Sequence, residues 1–165
     1  MTSLTKGKAE EKDVQSIIDY ILRNKNLPPS KIVICGYSYG AMCSCSIAAE
    51  IPEVLCYTAI SYPYSVSWML TAGNSQHFER RLIQPKTPIP KLFIIGDKDQ
   101  FSSISKWRSL VERIQDPKHI VVIEGVDHFW WNKENKLVDS IEQWLLPIVQ
   151  QWNPHIWTNN SINQL

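Results

Sequence analysis

The sequence predicts an α/β domain with a mostly parallel sheet flanked by helices. Four short, largely apolar runs, at 32–35, 54–60, 92–95 and 120–123, have the length and composition of strands buried on both faces. Between them stand stretches whose apolar residues recur at helical spacing, and strands alternating with helices favour parallel pairing. The bulk numbers agree: 165 residues, 44% hydrophobic and 20% charged, suffice for one ordinary core.

Val14, Ile17, Ile18, Ile21 and Leu22 line one helix face, which predicts a helix over about 10–24, stopped at Leu27-Pro28-Pro29-Ser30. The run at 32–35 follows, then a helix rich in small residues over 39–51, ended by Pro52, and the second strand at 54–60. Residues 61–90 hold five Gly and Pro residues and only weak periodicity between Trp68 and Leu82, so they read as a long connection with one helix. After the third strand, Ile104, Trp107, Leu110, Val111 and Ile114 form a helix face; the fourth strand and a last helix with Leu137, Ile141, Trp144, Leu145 and Ile148 complete the domain. Pro147 is expected to bend or end that helix. Residues 1–153 are therefore expected to form the domain and the Asn-rich residues 154–165 a loose tail. The sequon Asn159-Asn160-Ser161 in that tail is read as a chance match.

Composition excludes several classes. The net charge is +1, and pairs such as Arg80-Arg81 form no basic stripe, which argues against nucleic acid. No apolar run approaches a membrane span and the N-terminus is polar, pointing to a cytoplasmic protein. Cys35 and Cys56 sit inside apolar runs and Cys43 and Cys45 on different sides of a helix, so all four are expected as buried free thiols. The four histidines are dispersed, and no metal or cofactor is implied.

Parallel sheets place their chemistry at the carboxyl ends of strands. Gly36-Tyr37-Ser38-Tyr39-Gly40 stands between the first strand and a helix, and a G-x-S-x-G phrase in that context puts a serine on a strained turn. Gly36 and Gly40 are expected to let strand and helix backbones pass closely. The helix start would supply the Tyr39 N–H as an oxyanion donor. The third strand leads into Gly96-Asp97-Lys98-Asp99, with two candidate orienting acids, and the fourth into Glu124-Gly125-Val126-Asp127-His128. Asp99 lies 61 residues beyond Ser38 and His128 29 beyond Asp99. Serine, acid and histidine after the first, third and fourth strands stand in nucleophile–orienter–base order.

On these phrases the chain resembles the α/β-hydrolase superfamily, in particular its small, nearly lidless intracellular members, over about residues 10–150. The resemblance implies Ser38 as nucleophile, His128 as base and Asp99 as acid, with Asp97 the lesser candidate. It also implies that strands preceding the elbow are missing: the stretch from Lys6-Gly7-Lys8 to Asp13 resembles the loop before the elbow strand's preceding helix, and no His-Gly phrase is present to supply a second oxyanion donor. The first strand would then be an unpaired edge, prone to aggregate unless another chain covers it. The expected activity, given the missing part, is hydrolysis of a carboxylic ester or thioester, a small-molecule acyl substrate. Tyr37, Tyr39, Tyr62, Tyr64, Trp68, Phe101, Phe129, Trp130 and Trp131 near strand ends suggest an aromatic acyl site or simply core filling. The alternative is a catalytically silent hydrolase-like module acting as a binding protein.

Overall fold

The computed structural model describes residues 7–24 and 31–153. The stop at 27–30, the tail at 154–165 and its sequon lie outside the described residues. Four strands, β1 (Ile32–Tyr37), β2 (Val54–Ile60), β3 (Lys91–Gly96) and β4 (Lys118–Ile123), form one sheet in the order β1-β2-β3-β4, every neighbouring pair parallel. Helices α1 (Lys8–Arg23), α2 (Tyr39–Ala48), α4 (Ser75–Ile83) and α5 (Ile104–Arg113) enclose the larger apolar core, where Phe78, Phe93 and Trp107 are fully buried. On the opposite face, α6 (Glu134–Trp152) brings Leu137, Ile141 and Trp144 onto Ile60, Leu92, Ile94, Val126 and Trp130.

Several expectations are corrected. The connection after β2 holds a 3-10 turn (Tyr64–Val66), the short helix α3 (Ser67–Leu70) and α4, where one helix was expected. Of the two effects expected of Pro147, ending the helix is overturned: α6 runs through it to Trp152. Helix α2 stops at Ala48, before Pro52. Among the described residues, strand β1 is covered on one face only: Ile34 and Gly36 are buried against α2, whereas Val33, Cys35 and Tyr37 are exposed on the other. The reason lies in its place at the sheet's edge, beyond the reach of α6, which packs on β3 and β4. Cys35 is thus an exposed thiol, while Cys43, Cys45 and Cys56 are buried; all four are free. On α1, likewise, Ile18 is buried but Ile17 and Ile21 are exposed, so the apolar stripe is wider than the surface it covers.

A buried carboxylate ties three helices together. Glu11 of α1 accepts from Ser46 Oγ of α2 and from Arg81 of α4 at 3.2 Å, and lies 2.8 Å from His77 Nε2 of α4. A carboxylate buried without partners would carry a large desolvation cost, so these contacts fix how α1 and α4 sit on α2.

Burial also makes the fold sensitive to alkali. It pushes the Cys43 thiol up to about 11 and Cys56 up to about 12, and raises Cys45 further. Each thiol ionises at about 8.5 in the unfolded chain, so its contribution is complete below that pH and is lost as pH rises toward the folded value, at about 1.4 kcal/mol per unit. Lys91, brought down to about 8 by burial, acts oppositely: its cost to folding is relieved between there and about 10.4. Three buried thiols against one amine give an expected net loss of about 2–3 kcal/mol per unit around pH 9–10, to which the raised Cys35 thiol and the raised Tyr57 and Tyr62 phenols add in the same direction. Urea unfolding at successive pH values checks this, and Cys56→Ala should flatten the slope by about one thiol's share; a pH-independent midpoint would contradict it.

Candidate active site

The elbow is built by a close approach. A Cβ added to Gly36 would stand 2.6 Å from Ala41 Cα and 2.5 Å from Ser44 Oγ, so only glycine lets the end of β1 run this near α2. At Gly40 the same Cβ would meet nothing within 4 Å, which corrects the expectation that both glycines are needed for clearance. Between them Ser38 takes φ 52° and ψ −126°, in left-handed territory where a non-glycine residue stores about 1–3 kcal/mol of strain. Its N–H donates to Ile60 O of β2 at 2.9 Å, which holds the turn to the sheet. Tyr39 is the first residue of α2, where a backbone N–H has no carbonyl one turn earlier to receive it.

The structure brings three of the singled-out side chains into one chain of hydrogen bonds. Ser38 Oγ lies 2.8 Å from His128 Nε2, and His128 Nδ1 lies 2.8 Å from Asp99 Oδ2. The His128 and Asp99 side chains are almost wholly buried, whereas Ser38 is part-exposed. The second Asp99 oxygen accepts the N–H groups of Phe101 at 2.8 Å and Ser102 at 3.1 Å, so the carboxylate cannot swing away from the imidazole without giving up two backbone bonds. Asp97 is occupied elsewhere: its Oδ1 accepts Gly125 N–H at 2.7 Å, bracing the start of the histidine loop.

Aromatic rings fence the imidazole. Phe101 meets it edge-on at 4.5 Å between centroids, Phe129 at 5.5 Å and Tyr37 in a tilted pose at 5.4 Å. Tyr62 and Trp130, by contrast, are buried as core, and Trp130 Nε1 donates to Ser61 Oγ at 2.9 Å. Trp68, Phe129 and Trp131 are exposed. A polar cleft of about 640 Å³ lined by Lys8, Asn74, His77, Arg80 and Arg113 holds none of the three hydrogen-bonded residues. Among the described residues no three His, Cys, Asp or Glu are grouped so as to hold a metal ion, and no helix is long and apolar enough to cross a membrane.

Sequence reasoning missed the supporting roles of four residues, of which Tyr37 was read only as an aromatic near the site. Tyr37 OH donates to His128 O at 2.8 Å, and Gln100 Oε1 accepts His128 N–H at 3.1 Å. At Gly96 a Cβ would fall 2.1 Å from Val126 O, so the acid loop and histidine loop can approach only because that strand end lacks a side chain. Ser61, at φ 47°, receives the Trp130 indole. A glycine closing a strand was the one visible signal; the other three depend on loop partners.

A model of the dienelactone hydrolase family matches residues 1–146. An uncharacterized protein of Rickettsia prowazekii is 27% identical over 164 residues, covering 96% of this chain and 63% of that protein. An α/β serine hydrolase homologue from Coxiella burnetii superposes with a TM-score of 0.65 at 22% identity, over 83% of this chain and 59% of its own. An α/β serine hydrolase without lid from Xanthomonas campestris gives 0.67 at 19%, over 89% and 58%. Est1E from Butyrivibrio proteoclasticus, solved with ferulic acid bound, gives 0.70 at 13%, over 84% and 67%. The chain thus spans 63% of the Rickettsia relative and 59% of the Coxiella one. The likeness to these solved structures establishes the fold, that of the α/β hydrolases.

Proposed function

Because this chain belongs to the dienelactone hydrolase family, we propose that it is a serine hydrolase that cleaves a carboxylic ester or thioester through Ser38, His128 and Asp99. The observation that carries the reading is the unbroken path from Ser38 Oγ through the buried imidazole to Asp99, 2.8 Å at each step. Ser38 Oγ attacks the acyl carbon as its proton passes to His128 Nε2. The Tyr39 N–H, at the positive end of α2, stabilises the oxyanion. The imidazolium then protonates the departing alcohol or thiol, leaving an acyl-serine. Water attacks that ester, gives its proton to His128, and releases the carboxylic acid and free Ser38. Throughout, Asp99 holds Nδ1 protonated and steadies the positive ring.

Free cysteines suit a reducing, cytoplasmic setting, which is part of the proposal. So is a second chain on the sheet: among the described residues β1 pairs only with β2, and its bare face carries Val33, Cys35 and Tyr37.

A fluorophosphonate probe tests the reading without knowledge of the substrate. The folded protein is expected to label, with at least a thousandfold loss in Ser38→Ala, since the probe reacts with an activated serine. A folded protein that fails to label would favour the silent binding module, which the open β1 edge makes the competing reading.

A further inference from the structure

His128 is held twice. Its ring bonds to Ser38 and Asp99, and its backbone is gripped by the residues next to those two: Tyr37, just before Ser38, donates its phenol O–H to His128 O at 2.8 Å, and Gln100, just after Asp99, accepts His128 N–H at 3.1 Å. The partners lie 91 and 28 positions away in sequence, so each bond spans two different strand-end loops. Other bonds brace the flanks of this loop, with Gly125 N–H on Asp97 and Lys98 N–H on Val126 O, and within it the Asp127 carboxylate accepts the N–H groups of Phe129 and Trp130.

We propose that Tyr37 and Gln100 form a backbone clamp that positions the His128 imidazole for proton transfer with Ser38. The proposal rests on the hydrolase reading, and it assigns to both residues a positioning role. Proton transfer needs Nε2 within hydrogen-bond reach of the serine, and misplacement of about 1 Å can cost about 100-fold in rate. The histidine loop is irregular, with Trp130 at φ 61° and Asn132 at φ 57°, so strand pairing does not fix it. The Asp127 turn shapes the loop from within, and the two bonds at either side of the His128 Cα tie it to its surroundings: the carbonyl to the elbow and the N–H to the acid loop, which sets the ring's distance from both its partners. Burial, with the charges of Asp99 and Asp127, raises the Tyr37 phenol above its ordinary range, so it stays a donor through neutral pH. Its ring also lies against the imidazole.

Tyr37→Phe keeps the ring and deletes the donor; Gln100→Met keeps length and deletes the acceptor; Gln100→Glu restores an acceptor oxygen. Each of the first two should slow fluorophosphonate labelling of Ser38 about tenfold, and the pair about 100-fold, with the thermal midpoint little changed. Gln100→Glu should label several times faster than Gln100→Met. Imidazole ¹⁵N and ¹H NMR reads the clamp independently of labelling. The Nδ1-bound proton of His128 should be sharp in the parent and lost to solvent exchange in the double variant. An unchanged Nδ1–H resonance in the double variant overturns the clamp, as do single-variant labelling rates within twofold of a labelling parent. A parent that folds but never labels counts against the hydrolase reading, and the resonance still decides the clamp.

Discussion

Asp99→Asn is expected to lower the rate of Ser38 acylation by about 10⁴, the loss typical of an orienting carboxylate replaced by its amide. Asp97→Asn should cost less than about tenfold on the same scale. Asp99 Oδ2 faces His128 Nδ1 at 2.8 Å while Oδ1 is pinned by two backbone N–H groups. In the asparagine variant those N–H donors keep hold of the carbonyl oxygen, so the amide nitrogen turns toward the imidazole. It can only donate, which forces the proton of a neutral ring onto Nε2, where it can no longer accept from Ser38. At Asp97 the amide retains a carbonyl oxygen for the Gly125 N–H. Burst kinetics on an activated ester, or labelling rates, separate the two; equal losses, or a loss at Asp97 alone, would reverse the assignment.

Gly36→Ala should destabilise the fold by more than about 4 kcal/mol or leave the protein insoluble, whereas Gly40→Ala should stabilise it by up to about 1 kcal/mol. The two glycines look equivalent in the motif but differ in surroundings. The alanine methyl at 36 would meet the Ala41 backbone at 2.6 Å and 3.0 Å, and neither the strand nor the helix can retreat without breaking the β1–β2 ladder or the packing of α2. At 40 the methyl enters open space on the first turn of a helix, where alanine restrains the backbone that glycine leaves free. Urea unfolding of the two variants measures the difference, and a Gly36→Ala midpoint close to the parent's would rule out the steric account.

The amino-acid sequence by itself determined the order of strands and helices, because both signals are local. Apolar runs of strand length and side chains at helical spacing placed Val54–Ile60 at its observed bounds and the other strands, α1, α2 and α5 within a few residues, but not the separate turns and helices of the connection after β2. It also singled out Ser38, His128 and the Asp97/Asp99 pair, since a glycine-flanked serine between strand and helix, and charged residues at strand ends, are visible without knowing what they touch. Only the tertiary structure decided what each residue meets. An apolar run reports its composition but not how many layers cover it, so the exposed face of β1 and the open thiol of Cys35 were not legible. Two aspartates two positions apart are chemically alike in sequence, and loop conformation alone turned Asp99 to the imidazole and Asp97 to Gly125. The same holds for Tyr37, Gln100 and Glu11. Each takes its role from a partner far along the chain, and such pairings are set by how the strands stack side by side and the helices dock on them, which no local pattern encodes.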